Sequence, residues 1–258
     1  MTATIKDDRI GEMKVFPDLA GLSQAAAERF VELARQAIGA RGRFLVALSG
    51  CSTPRPLYEL LATRAYAKRI DWALVEVFFA DERCVPPDHP DSNYRMARLA
   101  FLEKVAIPPA NVHRICGELP PAGAERAYHD ELRSALSDDG RLDLILLGMG
   151  TDGHTASLFP ESDALSESEA DVVATYAEAL HAWRVTLTLF TINSARNILF
   201  LVSGPEKAEA LKRVLSGDPL PAGLIKPAFG VLTWYVDREA ASLFRPMVDD
   251  EGRRRQCR

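Results

Sequence analysis

Short apolar runs alternate with segments of helical periodicity along most of this chain, and this alternation limits the possible folds more than any other feature. The runs at residues 44–48, 73–79 and 142–147 are almost continuously apolar, as in strands that are covered on both faces. Between residues 30 and 38, apolar side chains recur at the i, i+3, i+4 and i+7 spacing of a helix. Strands that alternate with helices form a mostly parallel sheet. The sequence therefore predicts an α/β fold with three αβα layers and a mostly parallel, Rossmann-like central sheet.

A single domain spanning residues 1–258 is the simplest organisation, because the sequence shows no repeat, low-complexity tract or linker. Hydrophobic residues make up 47% of the chain, which is enough to build a large core. Further strands are expected at residues 184–189, 197–203 and 230–236, and further helices at residues 93–104, 124–137 and 205–215. Residues 1–10 and 250–258 are expected to be flexible ends.

Composition excludes several classes of protein. The chain has 31 basic and 36 acidic residues, a net charge of −5, and lacks the basic stripe of a nucleic-acid-binding protein. It has no apolar segment long enough for a membrane span and no secretory signal near its N-terminus. Its scattered cysteines form no CxxC pair, so neither a disulfide framework nor a zinc site is expected. We expect a cytoplasmic protein that uses no metal or cofactor, and no sequence pattern indicates its oligomeric state.

Three polar segments that contain glycine or proline follow predicted strands, at residues 49–54, 81–93 and 148–160. In a parallel sheet, ligands bind beyond the carboxyl ends of the strands. The three segments therefore indicate a candidate site at that edge of the sheet.

The first segment is rich in hydroxyl groups and leads into a helix that is expected to begin at Pro54, capped by Ser52 or Thr53. Backbone amides, hydroxyls and a helix N-terminus together suit a phosphate group. The segment lacks the GxxxxGK[ST] pattern of ATP-binding loops, and an ordinary capped turn is the alternative interpretation. The candidate phosphate ligands are Ser49, Gly50, Cys51, Ser52 and Thr53.

The third segment begins with a GxGxxG pattern at residues 148–153, but the acidic residue that a dinucleotide site needs after the following strand is missing. The pattern leads instead into His154, which lies on a glycine-flanked turn two residues after Asp152. A histidine in such a place can act as a general base near neutral pH. The alternative is that His154 only caps a helix or fills a surface position.

Charged residues at two further strand ends complete the candidate site. Asp81 and Arg83 follow the second strand, where a guanidinium group suits a phosphate or a developing oxyanion. A surface salt-bridge cluster is the alternative interpretation of these residues. Lys207 lies in the first turn of a predicted helix, where its charge opposes the helix dipole. Such a conflict with local preference indicates a functional role.

Together these segments resemble the 6-phosphogluconolactonase family, which is related to glucosamine-6-phosphate deaminase. The stretch around His154 is the most specific part of the resemblance. The matching residues are 48–54, 79–86, 91–94, 147–160, 184–189, 202–208 and 234–237. The resemblance implies a central parallel sheet and hydrolysis of 6-phospho-D-glucono-1,5-lactone to 6-phospho-D-gluconate in the oxidative pentose phosphate pathway.

The resemblance also implies roles for individual residues. His154 would activate water, and Arg83 would contact the substrate at its phosphate or at the developing oxyanion. Residues 49–53 and Lys207 would bind the phosphate.

Two details stay open at this point. Either Asp152 or Asp81 could orient the imidazole or the attacking water. Cys51 stands where the family usually has a second glycine, and a helix N-terminus beside it would favour a reactive thiolate.

Two other functions are the alternatives. An aminosugar-6-phosphate deaminase/isomerase has tyrosine in place of Arg83 and glutamate in place of Phe159, and its proton transfers need more carboxylates than these segments provide. The second alternative is a non-catalytic sugar-phosphate-binding protein, and an intact His154 argues against it.

Overall fold

The fold combines a large and a small sheet with helices packed against them. The computed structural model describes residues 3–7, 10–136 and 140–244. Within these residues the strands are β1 (Ala3–Asp7), β2 (Gly11–Phe16), β3 (Phe44–Leu48), β4 (Val75–Phe79), β5 (Asp81–Arg83), β6 (Leu144–Leu147), β7 (Val172–Ala177), β8 (Ala182–Leu187), β9 (Asn197–Val202) and β10 (Val231–Asp237). The α-helices in the same residues are α1 (Leu19–Arg41), α2 (Arg55–Leu61), α3 (Arg64–Ala67), α4 (Asn93–Ala97), α5 (Pro121–Ala135), α6 (Leu189–Ser194) and α7 (Ala208–Ser216). None of these helices is long and apolar enough to cross a membrane.

The large sheet has seven strands in the order β1-β2-β10-β9-β6-β3-β4. All neighbouring strands are parallel except β1 and β2, which are antiparallel. Every residue of β3 and β6 is buried, because a mostly parallel sheet is covered by helices on both faces. The predicted α/β fold with a mostly parallel central sheet is confirmed.

Helix α1 has a sequence signal for each of its ends, Asp18 at the start and Gly42 at the end. The Asp18 carboxylate accepts a hydrogen bond from the backbone N–H of Gly21 at 2.8 Å and so caps the first turn. Gly42 ends the helix with φ +76, a left-handed conformation that glycine adopts without a steric penalty. Phe30 and Ala34, which belong to the predicted apolar stripe, are buried on the side of the helix that faces the sheet. Burial of a large apolar side chain of this kind stabilises the fold by about 1.5–3 kcal/mol.

The strand expected at residues 184–189 belongs to a different sheet from the one predicted. Strand β8 lies between β5 and β7 in a three-stranded antiparallel sheet. The chain changes sheets at Ala80, whose N–H donates to the last residue of β3 and whose carbonyl accepts from the last residue of β8. An apolar run does not specify the strand with which it pairs, so the small sheet could not be read from the sequence.

The N-terminus also differs from expectation. The sequence predicts flexible residues 1–10, but Ala3–Asp7 form β1 and pair with β2 at the edge of the large sheet. An added strand satisfies backbone hydrogen-bonding groups that an edge would otherwise expose. The other predicted flexible end, residues 250–258, lies outside the described residues.

Candidate functional site

Four loops meet at the carboxyl edge of the large sheet. Strand β4 lies on one side of β3 and β6 on the other, which makes a switch point where the neighbouring loops open a crevice. The strands β9, β6, β3 and β4 are consecutive along this edge. The segments that follow them carry, in the same order, Lys207, His154, residues 49–53 and Asp81–Arg83. Residues that are far apart in sequence are therefore brought to one edge of the sheet.

Asp152 holds the imidazole of His154. Asp152 Oδ1 lies 2.6 Å from His154 Nδ1 and also accepts a hydrogen bond from the His154 backbone N–H at 3.0 Å. Burial alone would raise the pKa of Asp152, but its hydrogen bonds with His154 outweigh burial and lower the pKa to about 2. The carboxylate is therefore ionised and can only accept, so the neutral imidazole carries its proton on Nδ1. This tautomer leaves the lone pair of Nε2 available as a base.

Gly150 makes room for this pair. A Cβ atom at Gly150 would lie 2.1 Å from His154 Nδ1 and 2.6 Å from Asp152 Oδ1. The Gly150 N–H donates to the His154 carbonyl at 2.8 Å and closes the turn. Gly153 takes φ +83 within it, a conformation that favours glycine. The glycines of the GxGxxG pattern thus shape the turn that presents the imidazole.

Asp81 is a second buried carboxylate in the site. Its Oδ2 accepts from Ser157 Oγ at 2.7 Å, and its Oδ1 accepts from Asn93 Nδ2 at 3.1 Å. Ser157 comes three residues after His154, so Asp81 ties the end of the histidine loop to the end of β4. Of the two carboxylates that the sequence left open, Asp152 contacts the imidazole and Asp81 holds the neighbouring loops.

Two arginines face each other across the small sheet. Arg83 pairs with Arg184 in the antiparallel register of β5 and β8. Neither Nε atom has a hydrogen-bond partner within the part of the chain that the structure describes. Arg184 is only 8% exposed, and burial together with the neighbouring Arg83 guanidinium lowers its pKa. Adjacent guanidinium groups with unused donors suit an anion.

Sequence reasoning did not assign Arg184 to the site, although a signal for it was present. The residue interrupts the apolar run of β8 with a charge. Arginine is seldom fully buried unless it has an ionic partner or a ligand. A cation within a mostly apolar strand was therefore a candidate ligand for an anion.

The loop at residues 49–53 is fixed through Ser49 and Cys51. The Tyr58 hydroxyl donates to the Ser49 carbonyl at 2.8 Å and accepts from the Ser49 N–H at 3.2 Å. A Cβ atom at Gly148 would lie 2.4 Å from Cys51 Sγ. The thiol therefore points towards the loop that carries His154.

The helix after this loop lacks the predicted cap. Helix α2 begins at Arg55 with Pro54 as its N-cap residue, and no side-chain hydrogen bond from Ser52 or Thr53 caps it in the described structure. The Arg55 N–H instead approaches the Ser52 carbonyl at 3.3 Å. Because the two hydroxyls do not cap the helix, they remain suited to binding a ligand.

The pKa of Cys51 is shifted in the opposite direction to the one that the sequence predicted. Burial raises the pKa of Cys51 and outweighs its hydrogen bonds with Ser49 and Thr53. The positive charge of Lys207 also acts to lower this pKa. The expected effect of a helix N-terminus is therefore smaller than the effect of removing the thiol from water.

We expect native Cys51 to react with iodoacetamide at pH 8 at least about 10-fold more slowly than in the unfolded chain, because only the thiolate is nucleophilic. The rates are measured by mass spectrometry of the peptide that contains Cys51, with and without urea. Equal labelling rates in the native and the unfolded protein would contradict the raised pKa of this thiol.

Lys207 is presented by a glycine turn after β9. Gly204 has φ +98, and its N–H donates to the Asp237 carboxylate at the end of β10. The same carboxylate accepts from Ser203 Oγ. These bonds hold the single 3₁₀ turn Pro205–Lys207 at the start of α7. The half-buried Lys207 is therefore held in position by the hydrogen bonds that precede the turn and by the helix that follows it.

Several known proteins are similar to this chain in sequence and in fold. The family described as glucosamine-6-phosphate isomerases/6-phosphogluconolactonase matches residues 17–234. A 6-phosphogluconolactonase from Synechocystis sp. is 43% identical over 224 residues, which cover 82% of this chain and 89% of that protein. A 6-phosphogluconolactonase from Homo sapiens is 40% identical over 242 residues, 90% of this chain and 93% of that protein. The solved structure of 6-phosphogluconolactonase from Trypanosoma brucei has a TM-score of 0.82 at 28% identity and covers 94% of this chain and 100% of that one. The chain therefore belongs to the family of glucosamine-6-phosphate isomerases and 6-phosphogluconolactonases, as its motifs predicted.

Proposed function

We infer that this protein hydrolyses 6-phospho-D-glucono-1,5-lactone to 6-phospho-D-gluconate in the oxidative pentose phosphate pathway. The observation that carries this inference is the Asp152–His154 pair, which leaves Nε2 available as a base at the switch point of the sheet. Arg83 lies in β5, which follows β4 in the chain, and pairs there with the buried Arg184 of β8. A base and a site for anions at the same sheet edge suit a phosphorylated substrate that is attacked by water.

In the proposed reaction, His154 Nε2 takes a proton from water as the water oxygen attacks C1 of the lactone. Guanidinium donors of Arg83 and Arg184 stabilise negative charge that develops on the substrate. The tetrahedral intermediate collapses by breaking the bond between C1 and the ring oxygen. The imidazolium returns its proton to that oxygen, and the new carboxylic acid ionises in water. Asp152 stabilises the imidazolium between the two proton transfers.

Phosphate binding belongs to residues 49–53 and Lys207 in this proposal. The loop offers backbone amides and the hydroxyls of Ser52 and Thr53, and the ammonium group of Lys207 supplies positive charge. Binding of the phosphate, which is several bonds away from C1, orients the substrate so that water can attack the carbonyl carbon. Binding and chemistry thus use different groups along the same sheet edge.

The contact between Phe159 and His154 favours lactone hydrolysis over the deaminase alternative. The two rings lie 4.7 Å apart between centroids. Phe159 therefore occupies the space beside the imidazole where the deaminase relative has a glutamate. An apolar ring there cannot serve as an additional proton carrier.

Turnover assays test the proposed function. Freshly prepared 6-phosphogluconolactone is mixed with the protein, acid release is followed, and spontaneous ring opening is subtracted. We expect turnover of the lactone and none of glucosamine-6-phosphate. Deamination of glucosamine-6-phosphate without lactone turnover would replace the proposal by the deaminase alternative.

We also propose a cytoplasmic location. Cys51, Cys84 and Cys116 are all free thiols, as is usual in a reducing compartment.

Replacing Lys207 with alanine is expected to raise KM for the phosphorylated lactone about 10-fold or more, with kcat largely preserved. The phosphate lies away from the reacting carbonyl and is bound equally well in the ground state and the transition state, so losing a phosphate ligand changes KM and not kcat. Unphosphorylated glucono-1,5-lactone should be hydrolysed equally by the variant and the native protein. Lys212→Ala is the matched control, since Lys212 lies on α7, which begins directly after Lys207, and its side chain is 51% exposed. An equal loss with both lactones would remove Lys207 from the phosphate site.

A further inference from the structure

Asn93 lies between two parts of the site that are far apart in sequence. It is the first residue of α4 and is 1% exposed. Its Nδ2 donates to the Asp81 carbonyl at 2.8 Å and to Asp81 Oδ1 at 3.1 Å. One amide group thus fixes both the backbone and the carboxylate at the end of β4.

The other side of the same amide packs on the phosphate loop. A Cβ atom at Gly50 would lie 1.9 Å from both Cγ and Oδ1 of Asn93. The amide therefore fills the space that a side chain at residue 50 would need. Gly50 does not have a positive φ, so this contact, and not backbone conformation, is the reason for glycine there.

Asn93 is held in place independently of these side-chain contacts. Its backbone N–H donates to Glu82 Oε1 at 2.7 Å, and the next residue, Tyr94, donates to Glu82 Oε2 at 2.8 Å. Glu82 is itself buried. Changing the Asn93 side chain should therefore leave the backbone of α4 in position.

The side-chain oxygen of Asn93, Oδ1, is buried and lacks a hydrogen-bond donor among the described residues. A buried acceptor without a donor destabilises a fold and requires an explanation. A leucine would fill the same space without that penalty but could not donate to Asp81. The need to hold Asp81 explains why an amide is found at this position.

We propose that Asn93 is a positioning residue that sets the phosphate loop at Gly50 and the carboxylate of Asp81 at a fixed separation. Asp81 in turn bonds Ser157 of the histidine loop. The chain of contacts Gly50–Asn93–Asp81–Ser157 therefore joins the part that binds phosphate to the part that activates water. This inference rests on the proposed lactonase function.

Reciprocal substitution tests the contact with Gly50. Gly50→Ala alone should raise KM about 10-fold or more, because its new methyl group meets the Asn93 amide, and coupled neighbours show effects of this size. Asn93→Ala would not relieve this clash, because the Cβ atom of Asn93 also lies 2.4 Å from the new methyl position. Adding Asn93→Gly removes all three of the atoms that the methyl group would meet most closely. The double variant Gly50→Ala/Asn93→Gly should have a KM near that of Asn93→Gly alone, well below the value for Gly50→Ala. A double variant with the KM of Gly50→Ala, or a Gly50→Ala variant with native KM, would overturn the proposal.

Asn93→Asp tests the other contact without changing the size of the side chain. It keeps the packing on Gly50 but replaces the Nδ2 donor by an acceptor opposite Asp81. We expect kcat to fall about 10-fold or more while KM changes little, since the phosphate loop is undisturbed. A native kcat in this variant would also overturn the proposal, and the test stands even if Asn93→Gly does not fold.

Asn111→Ala is the matched control. Asn111 also donates through Nδ2 to two acceptors, but these are the backbone carbonyls of Ala73 and Val75 at the opposite end of β4. It should lower the unfolding temperature without altering KM or kcat. The native protein is assayed alongside, so that absence of lactone turnover would refute the proposed function, whereas normal kinetics in the variants of Asn93 and Gly50 would refute only the positioning role.

Discussion

Replacing His154 with glutamine is expected to lower kcat for 6-phosphogluconolactone by at least about 100-fold, the usual scale for the loss of a general base. Glutamine can still occupy the turn beside Asp152 but has no lone pair on nitrogen with which to take a proton from water. The imidazole is 31% exposed, so its replacement should leave the fold intact. KM should change little, because His154 does not bind the phosphate in the proposed mechanism.

The measurement needs two controls. Spontaneous opening of the lactone is recorded without protein and subtracted, and circular dichroism shows that the variant is folded. His129→Gln supplies the matched histidine, since His129 lies on α5 with a similarly exposed side chain, 36%, and pairs with Asp171 at 3.7 Å. Near-native turnover by folded His154→Gln would remove this residue from the mechanism.

The parts of the site that could be predicted from the sequence are local. Asp152 and His154 are two residues apart, and their contact follows from a short turn that glycines shape. Placement of the loops at one edge followed from the general geometry of parallel sheets. The contacts of Asp81 with Asn93 and Ser157 span 12 and 76 residues. No local pattern specifies such pairs, so they became visible only in the folded chain.

Burial accounts for two further differences from the sequence analysis. Helix geometry alone predicted a thiolate at Cys51, whereas burial raises the pKa of this thiol. Arg184 was passed over as part of an ordinary strand, and it is a buried cation facing Arg83. The charge state of a group depends on how much water the tertiary structure removes from it, and periodicity does not report that quantity.

Gly150→Ala is expected to be nearly as damaging as loss of the histidine itself, with kcat reduced at least about 100-fold. Gly150 does not have a positive φ, so alanine can adopt its backbone conformation. The added methyl group would lie 2.1 Å from His154 Nδ1 and 2.6 Å from Asp152 Oδ1. Both side chains can rotate away, which should preserve the fold while separating the imidazole from its carboxylate. Gly39→Ala is the matched control, because a Cβ atom there meets nothing within 4 Å, and alanine within α1 should stabilise the protein by about 0.5–1 kcal/mol.

The combination Gly150→Ala/His154→Gln decides whether the two substitutions act through the same group. If alanine at residue 150 acts only by displacing the imidazole, the double variant should be no less active than His154→Gln, because residues that work as a unit are not additive. A further 10-fold loss in the double variant would show that Gly150 serves catalysis in another way, for example through its backbone N–H. Native kcat in the single Gly150→Ala variant would contradict the mechanism itself. It would mean that the imidazole acts from a position in which Asp152 does not hold it, and Asp152 would then have no role in catalysis.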